Sequence, residues 1–318
     1  MIIAGKYFCG RNEKAGFIAW LFAFTPSSGV VSARIFICTA INSNADKGVS
    51  YMPDSWFSTT LESETEVIQV LTELQGNRWL SRGQSDIYNN LNPSIERDGL
   101  DVLSRAEKLT LERQSIDIFR STARFFADEG ERNALQSDIG ALMVLRHYDV
   151  PTRLLDWSLS PFVAAYFAVS EKDSCNGEIW SFDYDQYLKK GGEQWSRWPR
   201  TTKDGDGVSF ELSRTAFTVD EPDDWFVCQF YNAGFPRQKA QSGLFTFTAR
   251  FGRDHADSIA KLLVENSYYH LYVVPAELKP VLKKTLRESH GIWRGSMFPD
   301  SAGAAATARE VFKQGKPG

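Results

Sequence analysis

The run of residues 142–168 constrains the fold more than any other part of this 318-residue chain. A helical period of apolar residues leads up to His147, and Pro151 then breaks it, because proline clashes with a preceding helical turn. A second apolar segment starts at Ser160 and Pro161, which suit the cap and the first position of a helix. Between these segments lie the polar and aromatic side chains His147, Tyr148, Thr152, Arg153, Asp156 and Trp157. We therefore expect two buried helices joined by an irregular, polar loop.

This polar loop has two interpretations. Buried polar groups must be paired, so an ion pair between Arg153 and Asp156, with Trp157 filling the core, would make the loop structural. Alternatively, the loop faces a ligand from a rigid helical support, which is where binding residues often lie. The residues alone leave both interpretations open.

The composition indicates an ordinary globular protein with one large domain, or one domain and an appendage. The chain is 42% hydrophobic and 24% charged, enough to bury a sizeable core. Its formal charge of −4 does not indicate nucleic acid as a partner, although a local basic groove would still allow one. Four cysteines without CxxC spacing predict no metal site and a reducing, cytoplasmic location. The apolar runs are too short to cross a bilayer, so we expect no membrane association.

Residues 1–51 differ in pattern from the rest of the chain. Two short apolar patches are interrupted by turn-rich segments, and the first regular helical pattern comes only after Met52. The pattern is compatible with a dispensable N-terminal extension and with a small folded appendage. We expect residues 52–318 to form the main domain.

The main domain reads as a mixture of helices and strands. Ser63 caps a predicted amphipathic helix that ends near Gly76, and a long helix is predicted at residues 103–126. Strands are predicted at residues 78–81, 177–182, 225–230, 244–251 and 270–274, and helices at 280–290 and 304–313. These elements predict an α+β fold, a single mixed domain with a central, mostly antiparallel sheet flanked by helices.

Two further segments carry polar residues at turns. The first strand delivers Arg82, Gly83 and Gln84, and the planar guanidinium of Arg82 suits either a phosphate or a structural carboxylate. Before the strand that starts near Gly243 come Arg237, Gln238 and Gln241, which are either site residues or plain loop amides. Each segment puts polar side chains beside an apolar element, so we expect all three to meet in one cleft.

These motifs resemble the FRG domain family, a bacterial and phage-associated group. His147-Tyr148, residues 151–157 and the Ser160-Pro161 helix are similar to the family's central motif. Residues 79–85 resemble its aromatic-arginine-glycine motif, with Ser81 where an aromatic residue is usual. Residues 237–243 resemble a third motif, and with residues 92–94, Arg97 and residues 297–300 the resemblance spans about residues 54–312.

A weaker resemblance to ADP-ribosyltransferase-like folds implies an enzyme that consumes NAD, acting as a toxin or an anti-phage defence effector. By this resemblance Arg82 holds the NAD diphosphate, and His147 or Tyr148 contacts the ribose or nicotinamide. Glu178 or Gln241 would stabilise the positively charged sugar, although no Glu-x-Glu follows a late strand. The remaining residues expected to bind the cofactor are Gly83, Gln84, Thr152, Arg153, Asp156, Trp157, Arg237 and Gln238.

Other function classes are compatible with the same residues. A sensor module could bind a nucleotide or a protein through arginines and aromatic faces without any chemistry. A nuclease would need clustered carboxylates, and a Ser/His/Asp hydrolase would need a Gly-x-Ser-x-Gly elbow that the chain lacks. The sequence names no macromolecular target.

Overall fold

The structure is a computed structural model that describes residues 56–123, 125–195, 217–218, 220, 226–229 and 236–314. The expected extension at residues 1–51 lies outside this part of the chain, so its dispensability stays a prediction. Among the described residues, no helix combines the length and apolar character needed to cross a membrane.

A seven-stranded mixed sheet forms the centre of the described fold. Its strands are β1 (Ser58–Thr60), β2 (Trp79–Gln84), β3 (Leu154–Ser158), β4 (Gly177–Asp183), β5 (Phe226–Gln229), β6 (Gly243–Thr248) and β7 (Tyr269–Val274). They lie in the order β1-β7-β4-β2-β3-β6-β5. Only the β1–β7 pair is parallel among these neighbours. The predicted α+β fold with a mostly antiparallel sheet is therefore confirmed.

Helices flank this sheet. They are α1 (Glu64–Gly76), α2 (Arg105–Ala123), α3 (Glu129–Ala134), α4 (Asp138–His147), α5 (Pro161–Val169), α6 (Tyr184–Trp195), α7 (Pro236–Ala240), α8 (His255–Leu263), α9 (Lys279–His290), α10 (Arg294–Met297) and α11 (Ser301–Gln314). Ser63 caps α1 by accepting the Glu66 N–H at 3.2 Å, and Pro161 opens α5. Local capping chemistry thus placed these helix starts correctly.

The polar segment expected to be an irregular loop instead contains the interior strand β3. It lies between β2 and β6, and Leu154 and Leu155 are both buried although they point to opposite faces. A strand covered on both faces shows no alternation of apolar and polar residues. The prediction of a loop was wrong for this reason.

The sheet is open between β2 and β3. These strands pair only at Ser81 and Ser158, whereas β2 pairs with β4 along its whole length. Helix α5 packs closely over β2 and β4, and a Cβ on Gly83 would lie 1.8 Å from the Ala164 carbonyl oxygen. The gap between β2 and β3 therefore lies beside α5, with the C-terminal end of α4 close by through the short α4–β3 connection.

Candidate functional site

A cleft of about 390 Å³ is bordered by both diverging strands, by α5 and by the C-terminal end of α4. Residues from all three sequence motifs border it, including Arg82, His147, Asp156, Gln238 and Gln241. Its arginines are Arg82, Arg97, Arg146, Arg237 and Arg294, and its carboxylates are Asp149, Asp156 and Glu171. The lining therefore carries an excess of positive charge.

Arg82 reaches from β2 across the gap to β3. Its Nη1 donates a hydrogen bond of 2.8 Å to the Asp156 carbonyl oxygen and lies 3.7 Å from the Asp156 carboxylate. Burial, together with the charges of Arg146 and Arg97, lowers the pKa of Arg82 to about 10 despite the opposing effect of Asp156. Its Nε is buried and has no hydrogen-bond partner among the described residues.

Asp156 is the anionic centre of the cleft. Arg146 Nε donates to its Oδ2 at 2.8 Å, and the Asp156 side chain keeps 39% of its surface exposed. Burial works to raise the pKa of Asp156, but the charges of Arg146 and Arg82 outweigh it and hold the pKa below the ordinary value. The same attraction to Asp156 raises the pKa of Arg146. This carboxylate is therefore ionised at neutral pH.

Arg97 is a residue of the family resemblance to which sequence reasoning gave no role in the site. It borders the cleft, and its Nε is buried without a hydrogen-bond partner in the described part of the chain. Burial and the nearby charge of Arg146 lower the pKa of its guanidinium. Arg146 was also missed, although its position directly before His147 in the central motif was an available signal.

His147 links the central motif to the third motif. Its carbonyl oxygen accepts a hydrogen bond of 2.6 Å from Arg237 Nη1, and its ring Nε2 lies 4.0 Å from Asp300 Oδ2. Burial and the Arg237 charge lower the pKa of the imidazole, so the ring is neutral at pH 7. The Arg237 guanidinium lies over the Phe298 ring, 4.3 Å from its centroid.

The three glutamines at the cleft all donate to protein groups. Gln84 Nε2 donates to Glu178 Oε2 at 2.9 Å, and Gln238 Nε2 donates to the Gly243 carbonyl at 3.2 Å. Gln241 Nε2 donates to the Met297 carbonyl at 3.0 Å. These contacts favour an organising role for the three amides.

Arg153 and Thr152 do not border the cleft, contrary to the cofactor-binding role expected from the resemblance. The Arg153 guanidinium is buried against Glu112, its Nε lying 3.0 Å from both carboxylate oxygens, and it stacks on Phe251 at 3.9 Å. The Arg153–Asp156 ion pair of the structural interpretation is therefore wrong, because Arg153 pairs with Glu112 and Asp156 with Arg146. The Thr152 N–H donates to Ser94 Oγ at 3.0 Å.

Two expected catalytic residues also lie outside the cleft. The Tyr148 hydroxyl donates to Glu131 Oε1 at 2.6 Å, which ties it to α3. Glu178 is fully buried beside β2, where its carboxylate accepts hydrogen bonds from Gln84, Trp180 and the Tyr88 and Asn89 backbone. Neither residue has the position expected of a group that contacts substrate.

Gly83 and Trp157 border the cleft but have packing roles. Because a Cβ at Gly83 would overlap the α5 backbone, this glycine is needed for the close approach of β2 and α5. The Trp157 indole N–H donates to Thr246 Oγ1 at 2.8 Å, and its ring meets the Phe182 ring edge to face at 4.8 Å. The core role of Trp157 agrees with the structural interpretation of its motif.

No group of three or more His, Cys, Asp or Glu side chains in the described ranges is arranged to hold a metal ion.

Residues 77–177 match the FRG domain family model. The match includes the first motif and the whole central motif, while Arg237, Gln238 and Gln241 lie beyond it. No curated protein and no solved structure matches the chain. The part of this chain that is similar to the FRG domain family is therefore residues 77–177.

Proposed function

We propose that the cleft binds a nucleotide through its phosphate groups, with NAD as the first candidate. One observation carries the proposal: the Nε–H groups of Arg82 and Arg97 are both buried at this cleft without an acceptor among the described residues. A buried donor without a partner costs about 1–3 kcal/mol. Phosphate oxygens between the two guanidinium groups would supply the acceptors.

The charge of the lining supports the same ligand class. Five arginines face three carboxylates, and one of these, Asp156, is already held by Arg146 and Arg82. Planar guanidinium groups bind phosphate with two parallel hydrogen bonds. A phosphate anion would also offset the cost of burying Arg82, whose pKa is depressed by that burial.

The shape and apolar lining suit a nucleotide as well. Small-molecule sites usually have volumes of about 300–1,000 Å³, and the cleft falls in this range at about 390 Å³. Aromatic side chains on its border, Tyr88, Tyr166, Phe167 and Phe298, offer faces for a base or a nicotinamide ring.

Consumption of NAD is the second candidate function, and the neutral His147 in the cleft favours it. In hydrolysis, water attacks the ribose C1′ atom, the N-glycosidic bond breaks, and nicotinamide leaves with the bonding electrons. A neutral imidazole at position 147 can accept the proton that the water loses. The ionised Asp156 would face the developing positive charge on the sugar, in place of the buried Glu178. Such an activity would suit a toxin or an anti-phage defence effector.

Calorimetric titration of the purified protein with NAD, inorganic pyrophosphate and adenosine tests the first proposal. We expect NAD and pyrophosphate to bind, with affinity falling as salt rises, and adenosine to bind far more weakly because it lacks phosphate. Absence of both NAD and pyrophosphate binding would overturn the phosphate site. Chromatographic detection of nicotinamide release tests the second, and binding without release would favour a nucleotide-sensing module.

A further inference from the structure

Residues 84–89, here called the 84–89 wall, form one side of the cleft. Gln84, Ser85 and Tyr88 of this segment border the cleft directly. The segment leaves the end of β2, and the Asn89 backbone has a φ of 53°, in the left-handed region. The polar groups of this segment beyond β2 therefore need hydrogen-bond partners other than the strands of the sheet.

Glu178 holds this wall from behind. Its carboxylate accepts hydrogen bonds from the backbone N–H of Tyr88 at 3.2 Å and of Asn89 at 3.1 Å. It also accepts from Gln84 Nε2 at 2.9 Å and from Trp180 Nε1 at 3.2 Å. Three of these four donors belong to the wall, and none carries a positive charge.

Lys279 holds the same wall from α9. Its buried ammonium donates to the Ser85 carbonyl at 2.8 Å and to the Glu171 and Lys172 carbonyls at 3.0 Å each. The last two carbonyls follow the C-terminal end of α5, where a cation is favoured by the helix dipole. All three N–H groups of Lys279 are used to fasten the wall to the segment after α5.

Neither charge has an ionic partner within 4.0 Å among the described residues. Both are fully buried, and burial raises the pKa of Glu178 and lowers that of Lys279. Burying a charge that only neutral dipoles compensate is costly compared with apolar packing of the same volume. Two buried charges of opposite sign, each with a desolvation cost, therefore hold one six-residue segment at the cleft.

We propose that Glu178 and Lys279 are positioning residues, which fix the 84–89 wall from outside the cleft so that the cleft is preformed for its ligand. The inference rests on the proposed nucleotide-binding function. It assigns to Glu178 an indirect role in binding, although this carboxylate does not border the cleft. At the surface end of the wall, Lys172 Nζ adds contacts of 2.8 Å to Asp86 Oδ2 and to the Tyr88 hydroxyl.

The test compares NAD and pyrophosphate affinity in Glu178→Gln, Lys279→Met and Leu282→Ala, at a temperature where each protein is folded. Leu282 is fully buried on the same helix as Lys279 and donates nothing to the wall, so its truncation is a control for general loss of stability. We expect at least a tenfold loss of affinity in the first two variants and less than a twofold change in the control. Equal affinity in all three would overturn the inference.

Two further measurements keep the inference testable if the buried variants do not fold or the wild type does not bind. Lys172→Met changes an exposed side chain, and we expect it to fold normally with a threefold to tenfold lower affinity; unchanged affinity would count against the wall. Amide hydrogen exchange measures how well the 84–89 wall is protected in the ligand-free protein. We expect faster exchange than in the wild type at Tyr88 and Asn89 in Glu178→Gln, or at Tyr88 in Lys172→Met. Lack of wild-type binding would refute the proposed function, while unchanged exchange would refute the positioning role separately.

Discussion

Arg82 donates to the main chain of Asp156, 2.8 Å away, at the place where a neighbouring strand would otherwise hydrogen-bond to β3. The guanidinium of Arg82 thus has two roles: its Nη1 donates to a carbonyl in the gap of the sheet, while its Nε has no acceptor among the described residues. Substituting Arg82 would mix a structural effect with a binding effect. Arg97 has a buried Nε without an acceptor among the described residues, and it is Arg82 that donates to the Asp156 carbonyl, so substituting Arg97 separates the two effects.

Arg97→Ala is expected to weaken NAD or pyrophosphate binding by about 1.5–3 kcal/mol, the range for a hydrogen bond to a charged group. The free energy of unfolding of the ligand-free protein should not fall, because the variant removes a buried N–H group without an acceptor, which costs about 1–3 kcal/mol. Arg82→Ala should lose a similar amount of binding and should be about 1 kcal/mol less stable than Arg97→Ala, because the Asp156 carbonyl loses its donor. Titration calorimetry and urea unfolding check both. Arg78→Ala is the control, since that side chain is 60% exposed in a surface pair with Asp185.

Glu112→Ala is expected to destabilise the protein by about 3–5 kcal/mol, because it removes the carboxylate that pairs with the buried Arg153 guanidinium. The measurement is the free energy of unfolding in urea, compared with Asp117→Ala on the exposed face of the same helix. A loss of less than about 1 kcal/mol would mean that Arg153 finds another partner.

The Arg153–Glu112 pair shows where sequence reasoning stopped. The sequence indicated that Arg153 needs a buried partner, which is correct, but it offered the nearest carboxylate, Asp156. The actual partner lies 41 positions earlier on α2, and only the packing of α2 against the sheet brings it close. Local patterns predict that a charge must be paired, while tertiary structure decides with which residue.

Sequence patterns succeeded where the cause was local and failed where it was not. The starts of α1 and α5 follow from Ser63 and Pro161, which act within one helical turn. Strand β3 was missed because coverage on both faces removes the period-two signal. The cleft residues Arg97 and Arg146 were missed because their convergence depends on the divergence of β2 from β3.

Gly83→Ala is expected to destabilise the protein by about 2–4 kcal/mol, since a Cβ would lie 1.8 Å from the Ala164 carbonyl oxygen and α5 would have to move. The matched control is Gly76→Ala at the end of α1, where no atom lies within 4 Å of the added Cβ. That control should be neutral or slightly stabilising. Thermal unfolding of both variants decides whether packing on α5 is the reason for glycine at position 83.

Asp149→Gly is expected to stabilise the protein by about 0.5–1 kcal/mol. Asp149 has a φ of 59° just past the end of α4, where glycine adopts this conformation without a steric penalty. Its N–H and that of Val150 bond to the Arg146 and Leu145 carbonyls at 3.2 and 3.1 Å, so the helix-ending geometry would be kept. A carboxylate also interacts unfavourably with the C-terminal end of a helix dipole. A lower melting temperature in Asp149→Gly would show that the attraction of the Asp149 carboxylate to Arg237 and Arg146 outweighs the steric penalty and the helix-dipole repulsion.

Asp254→Asn should stabilise the protein at alkaline pH and have no effect at acid pH. Burial raises the pKa of Asp254 from 3.8 to about 6, although its Oδ1 accepts the Ala256 and Leu91 N–H groups at 2.8 and 3.0 Å. A carboxyl with a raised pKa binds its proton more tightly in the folded state. Its contribution to stability is therefore fully present below about pH 4 and is lost as the pH rises through about 6.

Asparagine at position 254 keeps the capping oxygen and has no charge to bury. We expect the variant to exceed the wild type by about 1–3 kcal/mol at pH 8, and by nearly nothing at pH 4. Urea unfolding of both proteins between pH 4 and pH 8 measures the difference in their free energies of unfolding, and the contributions of the other titrating groups cancel in that difference. A difference that does not vary with pH would contradict the burial of an ionised Asp254.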